Sequence, residues 1–366
     1  MKLQLVWFTD VYLVFLFSFL SARLLGGDLK SSTLLGLLSV VAWLMLIWRW
    51  GVQRTNASRL WNFMEGIRVG AHRGASLDSP ENTLYAFSQA QANGADFIEL
   101  DLSFTQDGVP IVFHDDRLER TTDGRGLVAN TPFVRIATLN AAGNFRPHEP
   151  PQSPSAGPRD VQIPTLREAV RAILDLGLSV IIDLKESHPD LVHTILELYK
   201  EFPALYCYGL VSSFYWRELL RIRRADPRIL VAHTWAPDLH RDTWALQRPC
   251  QSCRLTHRWH WDAWLADALE ALILHSGLLQ RLSGVRLLLV HHSVLSPAYL
   301  AFHRAAGNHL IAYTVNDYHH RLFLLRGLHV PFITDAIHDL RPILRAFQSP
   351  DRPPFQNHKV CALEQP

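Results

Sequence analysis

The chain of 366 residues has few cysteines. Cys207, Cys250, Cys253 and Cys361 are too sparse and too unevenly spaced to describe a disulfide framework, and they leave the redox compartment open. An excess of either charge is also missing. The 36 Lys and Arg residues against 34 Asp and Glu give a formal net charge of +2, which argues against a surface built to coat nucleic acid, so no nucleic-acid partner is expected. No small-residue cleavage site stands out near the N-terminus. Apolar runs of comfortable membrane-spanning length are lacking too. What the chain does have is enough apolar sequence for a sizeable core: 48% of residues are hydrophobic and 19% charged, a balance unlike that of disordered chains. Beyond the N-terminal part, roughly 300 residues remain, which suits one large domain better than two.

Val11 to Leu20, extended by Leu3 to Trp7, is one apolar run, and Thr33 to Trp48 is a second. Each lies near the lower limit of the roughly 17–25 residues that a spanning helix needs. Gly26-Gly27-Asp28-Leu29-Lys30-Ser31-Ser32 separates them as a turn-like break. The favoured expectation is a transmembrane hairpin, ahead of a signal peptide or single anchor with a buried helix, and of a soluble helical hairpin. The expected location is therefore integral to an endomembrane or the plasma membrane, with membrane lipids as partners. Arg49, Arg54, Arg59 and Arg68 favour a cytoplasmic catalytic domain, whereas the sequon Asn56-Ala57-Ser58 would need a lumenal one. The expected organisation is membrane-anchoring segments over 1–50, a linker over 51–68, a catalytic barrel over 69–345 and a disordered tail over 346–366.

From Val69 onward, short β-rich runs alternate with helix-like segments, the pattern of a parallel α/β fold. The candidate strands are Val69–His72, Phe97–Phe104, Pro110–His114, Ser179–Lys185, Tyr208–Phe214, Ile229–Trp235, Val285–His291, His309–Val315 and Phe332–Asp335. These are nine candidates for the eight places of a TIM barrel, and Val285–His291 is taken as the helical or peripheral one. It belongs to the apolar stretch Ala263–Val290, which with Asp267, Glu270, Arg281 and Arg286 reads as an amphipathic helix pair on the membrane surface or as an ordinary barrel helix. Helix-like spacers run over Thr83–Asn93, Thr165–Leu176, Leu191–Phe202, Tyr215–Ala225 and Pro297–Ala306, and Thr165 with Glu168 forms a capping-box pattern.

The polar residues gather at strand ends. Gly70-Ala71-His72-Arg73-Gly74 closes the first strand, Glu99-Leu100-Asp101 lies in the second, His114-Asp115 ends the third and Asp183-Leu184-Lys185 ends the fourth. In TIM barrels the reacting groups collect at that end. Side chains two apart on a strand share a face, so Glu99 points with Asp101, and Asp183 with Lys185. Three converging carboxylates repel one another unless a cation lies between them, and oxygen donors suit magnesium, calcium or manganese. His72 and His114, from different strands, are placed to serve as an acid–base pair across a phosphodiester. Arg73 and Lys185 supply positive charge for its oxygens.

The runs His72-Arg73-Gly74, Pro80-Glu81-Asn82-Thr83, Glu99-Leu100-Asp101, Asp107-Gly108 and Val112-Phe113-His114-Asp115 resemble, in order and spacing, the glycerophosphodiester phosphodiesterase family. Ser212-Ser213-Phe214, Thr314-Val315-Asn316 and Ile333-Thr334-Asp335 extend the resemblance to about Leu340. Thr121-Thr122-Asp123-Gly124, Ile163 to Val170 and Val294 to Leu300 are most similar to its membrane-integrated branch. The resemblance implies a TIM barrel and a divalent cation, magnesium ahead of calcium or manganese, held by Glu99, Asp101 and Asp183. It further implies His72 and His114 as acid and base, and Arg73 and Lys185 on the phosphate. Glu81 and Asn82 stand as site support or as a helix cap. The implied products are glycerol 3-phosphate and an alcohol, from substrates such as glycerophosphoinositol or N-acyl glycerophosphoethanolamine. A lysophospholipase D releasing lysophosphatidic acid from a lysolipid, and a non-catalytic membrane scaffold for a signalling protein, are the alternatives. Two positions depart from the family pattern: Asp183 stands where Glu is usual, and Tyr313 where many members have Trp.

Other residues carry less weight. His291-His292 and His319-His320 read as packed or solvated pairs. Cys250 and Cys253 with His257 and His260 fall at an interval too short for a zinc finger and read as a loop of free thiols. Trp235, Trp244, Trp259, Trp261 and Trp264 read as core packing ahead of a lipid-facing belt. Arg146–Asp160 reads as a Pro-rich insertion loop.

Overall fold

The computed structural model describes residues 18–20, 22–23, 25–49, 55–146, 160–237, 267–268, 271 and 278–347. Its centre is a closed ring of parallel strands: β1 (Val69–His72), β2 (Phe97–Phe104), β4 (Ser179–Leu184), β5 (Gly209–Ser213), β6 (Val231–Trp235), β7 (Leu287–His291), β8 (His309–Tyr313) and β9 (Phe332–Thr334). The strand order runs β1-β9-β8-β7-β6-β5-β4-β2, and β1 pairs again with β2 to close the ring. β3 (Pro110–Val112) lies outside the ring, antiparallel to β2. The expected exception among the nine strand candidates is thus reversed: the run ending at His291 is a full barrel strand between β6 and β8. Its unbroken apolar run reads equally as helix or buried strand, and length together with the Gly284 break decides for strand.

Residues alternate cleanly along the strands. Val180, Ile182 and Leu184 face the surrounding helices, while Ile181 packs inside the ring with Phe97, Leu210, Leu289, Ile311 and Ile333. The helices follow the apolar spacing of the sequence, over Leu84–Ala92, Leu166–Asp175, Leu191–Glu201, Trp216–Ala225 and Pro297–Ala305. The capping box forms as the pattern requires, with Thr165 accepting from the Glu168 amide and Glu168 accepting from the Thr165 amide.

Within the stretch expected as a linker, a helix runs over Ala57–Glu65, and Leu60, Phe63 and the following Ile67 are buried against the ring interior. This helix stoppers the N-terminal end of the barrel. Asn56, first residue of the sequon, caps it by accepting from the Arg59 amide. The Phe97 ring packs inside the barrel with Leu60, Phe63 and Ile67, beside Gly70. A Cβ on Gly70 would lie 2.2 Å from that ring, so glycine is what lets the aromatic side chain fill the floor. Polar chemistry is thereby left to the opposite end.

The expected transmembrane hairpin and integral-membrane location are overturned. Among the described residues no helix is long and apolar enough to cross a membrane. The second apolar run does form a helix, Leu29–Arg49, but its first turns carry Lys30, Ser31, Ser32 and Thr33. Its continuous apolar part is therefore shorter than the roughly 17–25 residues of a span. Most of the first run lies outside the described residues, as do residues 147–159, the Cys250–His260 group, Trp244, Trp259, Trp261, Trp264 and the tail after Phe347. Trp235 is buried in the core between barrel and helices, and Cys207 is disulfide-bonded.

Candidate active site

Strand register brings the site together. His72 stands beside Glu99 across β1 and β2, and Asp101 stands beside Asp183 across β2 and β4. All four belong to the rows that face the ring interior, at its C-terminal end. Glu99, Asp101 and Asp183 are 4%, 0% and 3% exposed, and each offers an oxygen within 4.8 Å of the others. Among the described residues they form the one group of His, Cys, Asp or Glu able to hold a metal ion; the histidine pairs at 291–292 and 319–320 do not form one.

Lys185 continues β4 into this cluster. Its Nζ lies 2.8 Å from Asp101 Oδ1 and 2.8 Å from Asp183 Oδ2. Asp183 also accepts from the Ser212 hydroxyl at 2.7 Å. Arg73 Nε approaches Asp101 Oδ2 at 3.2 Å, and the Arg73 amide donates to Glu99 Oε2 at 3.1 Å. That amide is aimed by a left-handed backbone, φ 54° at Arg73 and 84° at Gly74. Gly74 is required twice over, because a Cβ there would also meet Ala86 at 2.6 Å. Asn82, likewise left-handed at φ 59°, donates through Nδ2 to Asp101 Oδ2 at 2.8 Å.

The electrostatics follow from this crowding. Burial, reinforced by Asp101, pushes the Glu99 carboxyl up to about 7. Burial works the same way on Asp101, but Lys185 and Arg73 outweigh it and hold that carboxyl well below its ordinary value. Burial alone would discharge Lys185, yet Asp101 and Asp183 raise it far above the usual ammonium range. Two fixed cations therefore face three carboxylates, and the shortfall falls on Glu99. An all-oxygen donor set with unbalanced negative charge fits a hard divalent cation such as magnesium, calcium or manganese.

Both site histidines are held by carboxylates through Nδ1. His72 Nδ1 lies 2.6 Å from Asp335 Oδ1, at the end of β9, which leaves Nε2 facing Glu99 at 3.9 Å. Burial lowers the His72 pKa, but Glu99 and Asp335 outweigh it and the net shift is upward. Asp335 is fixed in turn by the Ser76 hydroxyl at 2.6 Å and Asn316 Nδ2 at 2.7 Å. His114, in the loop after β3, pairs through Nδ1 with Asp115 Oδ1 at 2.6 Å. Asp115 is gripped by Arg120, which also grips Glu81, and Glu81 binds Arg73 Nη1 at 3.1 Å.

Every site residue expected from the sequence thus falls in one connected mouth. Asp335, Arg120, Ser212 and Asn316 were missed as site members. The signal for Asp335 was present: it is two residues beyond the inward-facing Ile333 at a strand end, the same rule that selects His72.

A barrel mouth with buried carboxylates, two carboxylate-held imidazoles and paired cations is that of an α/β-barrel enzyme. Residues 72–339 match the model of the glycerophosphoryl diester phosphodiesterase family. Human glycerophosphodiester phosphodiesterase 1 is 35% identical over 279 residues, 75% of this chain and 80% of the relative. The rat protein of that name is 35% identical over 271 residues, 73% of this chain and 77% of its own. The fold resembles an Oleispira antarctica phosphodiesterase solved with its product sn-glycerol-3-phosphate (TM-score 0.55, 24% identity, covering 79% of this chain and 99% of that one). It also resembles a Silicibacter pomeroyi protein of the same family description (TM-score 0.57, 23% identity, covering 78% and 98%). The chain belongs to the glycerophosphoryl diester phosphodiesterase family. It is a phosphodiesterase.

Proposed function

We propose that the chain hydrolyses glycerophosphodiesters, such as glycerophosphoinositol or N-acyl glycerophosphoethanolamine, to glycerol 3-phosphate and an alcohol, using His72 and His114 as acid and base. The observation that carries this reading is the pair of imidazoles, each tied back through Nδ1 to its own carboxylate, beside the buried Glu99–Asp101–Asp183 cluster in the same barrel mouth. Ionised Asp335 and Asp115 each accept from Nδ1–H, so each Nε2 is left for substrate. One imidazole takes the proton of the attacking glycerol hydroxyl and the other gives a proton to the departing alkoxide; water then opens the resulting cyclic phosphodiester to glycerol 3-phosphate. Arg73 and Lys185 face the phosphate oxygens and steady the charge that builds on them. A divalent cation held by Glu99, Asp101 and Asp183 supplies, when bound, Lewis-acid polarisation of a phosphoryl oxygen. The catalytic unit is the barrel from Val69 to about residue 345, with the Ala57–Glu65 helix as its floor.

The test is release of glycerol 3-phosphate from a panel of glycerophosphodiesters, with and without chelator, in wild type and His72→Ala. Activity that needs the cation and falls by about 10²–10⁴ without His72 is expected, the span usual for a lost acid–base group. Activity indifferent to both changes would remove the proposal. Lysophosphatidate as the dominant product from lysolipids would reassign the substrate.

A further inference from the structure

The mouth contains a bridge that the reaction scheme above does not use. Arg120 ends a single helical turn, Leu118–Arg120, just beyond His114. That turn is anchored by buried Leu118 and by Asn144 Nδ2, which donates to the Glu119 carbonyl at 2.8 Å. From this base the guanidinium reaches two carboxylates in different loops. Nε and Nη2 approach Asp115 at 2.5 and 3.1 Å, while Nη1 and Nη2 approach Glu81 at 2.8 and 2.6 Å. Asp115 holds His114, and Glu81 holds Arg73.

We infer that Arg120 is a positioning residue that couples the proton-transfer imidazole of His114 to the phosphate-facing guanidinium of Arg73 through Asp115 and Glu81. This rests on the function proposed above. Arg120 itself is a poor phosphate ligand, because Nε, Nη1 and Nη2 all donate to carboxylates already. Its side chain is 48% exposed, and an isolated pair so exposed contributes little. The arrangement here is not isolated: two forked contacts share one rigid plane. A lysine ammonium is a point charge and does not span both partners in this way. The β1 loop carrying Arg73 and Glu81 is thereby clamped to the β3 loop carrying His114 and Asp115. The two groups would otherwise be set by separate loops.

The experiment uses the full chain and glycerol 3-phosphate release. Arg120→Ala is expected to lose about tenfold to a hundredfold in kcat/KM, as sub-ångström misplacement of reacting groups does. The loss should divide, with kcat falling through His114 and KM rising through Arg73. Asp115→Asn should lower kcat alone, and Glu81→Gln should raise KM alone. Arg120→Lys should recover little, and millimolar guanidinium should restore part of the activity of Arg120→Ala while leaving wild type unchanged. Combining Arg120→Ala with Asp115→Asn should cost no more kcat than the worse single change. Wild-type kcat and KM in Arg120→Ala, or effects that simply multiply in the double variant, would overturn the coupling. Should Arg120→Ala not fold, Arg120→Gln takes its place under the same criteria. If wild type cleaves no glycerophosphodiester, the proposed reaction fails, and the coupling is read instead from the His114 Nδ1 proton resonance. A shift in the Arg120 variant supports the bridge, and an unmoved resonance refutes it.

Discussion

His72 Nδ1 and Asp335 Oδ1 lie 2.6 Å apart although 263 residues separate them in the chain. The contact joins the first barrel strand to the last across the seam where β1 meets β9. Burial raises the Asp335 carboxyl, but the hydrogen bond and charge of His72, with Ser76 and Asn316, hold it well below its ordinary range. It is therefore ionised at neutral pH.

Asp335→Asn keeps the shape of this contact and removes its charge. A loss of at least about tenfold in kcat is expected, because the imidazolium loses its counter-charge and its tautomer is less firmly set. Thermal unfolding should move little. Steady-state kinetics beside a melting curve checks this, and an unaltered kcat would show that Asp335 merely fills the seam.

The carboxylate cluster predicts opposite effects on activity and stability. Glu99→Gln removes one of three mutually repelling charges, so with chelator present its melting temperature should equal or exceed that of wild type. Activity should nevertheless disappear. Millimolar magnesium should raise the melting temperature of wild type, as any ligand of the folded state does, and raise that of Glu99→Gln much less. Equal stabilisation of both proteins by magnesium would place the cation elsewhere.

The floor of the barrel offers a test of packing. Gly70→Ala drives a Cβ to 2.2 Å from the Phe97 ring, and a loss of about 1–3 kcal/mol is expected from overpacking. Phe97→Leu should recover part of it in the double variant, since the smaller side chain vacates the contested space. Denaturant unfolding of the four proteins measures the coupling, and additive losses would rule out the Gly70–Phe97 contact as their cause.

A pH-dependent contribution lies far from the mouth. Asp226 accepts from Tyr206 Oη at 2.5 Å and from Arg228 Nε and Nη2 at 2.9 and 2.7 Å. Burial raises this carboxyl, but those hydrogen bonds outweigh it, and the folded pKa is below the ordinary value. The stabilisation is therefore complete above the unfolded pKa of about 3.9 and is lost as pH falls through the folded pKa. Asp226→Asn should be less stable than wild type at pH 7, and the gap should narrow below about pH 4. A gap that stays constant down to strongly acidic pH would show that charge is not involved.

Much of the mouth was legible because its residues obey local rules. Glu99 with Asp101, and Asp183 with Lys185, share a strand face by spacing alone, and their clustering at strand ends follows from a parallel barrel. Thr165 and Glu168 announced a helix start that the structure reproduces. What escaped was non-local. The run ending at His291 is a strand because β6 and β8 flank it, which no window of sequence displays. The Ala57–Glu65 helix read as a linker because its apolar residues matter only once an open barrel end stands over them. Arg120 carries no local signal, because its contacts come from two loops that converge on it. The second N-terminal run was over-read as a membrane span because hydrophobicity near the threshold ignores the polar first turns of its helix.

Among the described strands, the one that closes the ring, β9, is the last to be synthesised. Asp335 follows β9, so a nascent chain carries His72 untethered through most of its synthesis. Translation products ending before Asp335 would keep Glu99, Asp101, Asp183 and both imidazoles in sequence and still lack a completed centre. A complete centre therefore waits on the seam between β1 and β9, however early the other mouth residues are made.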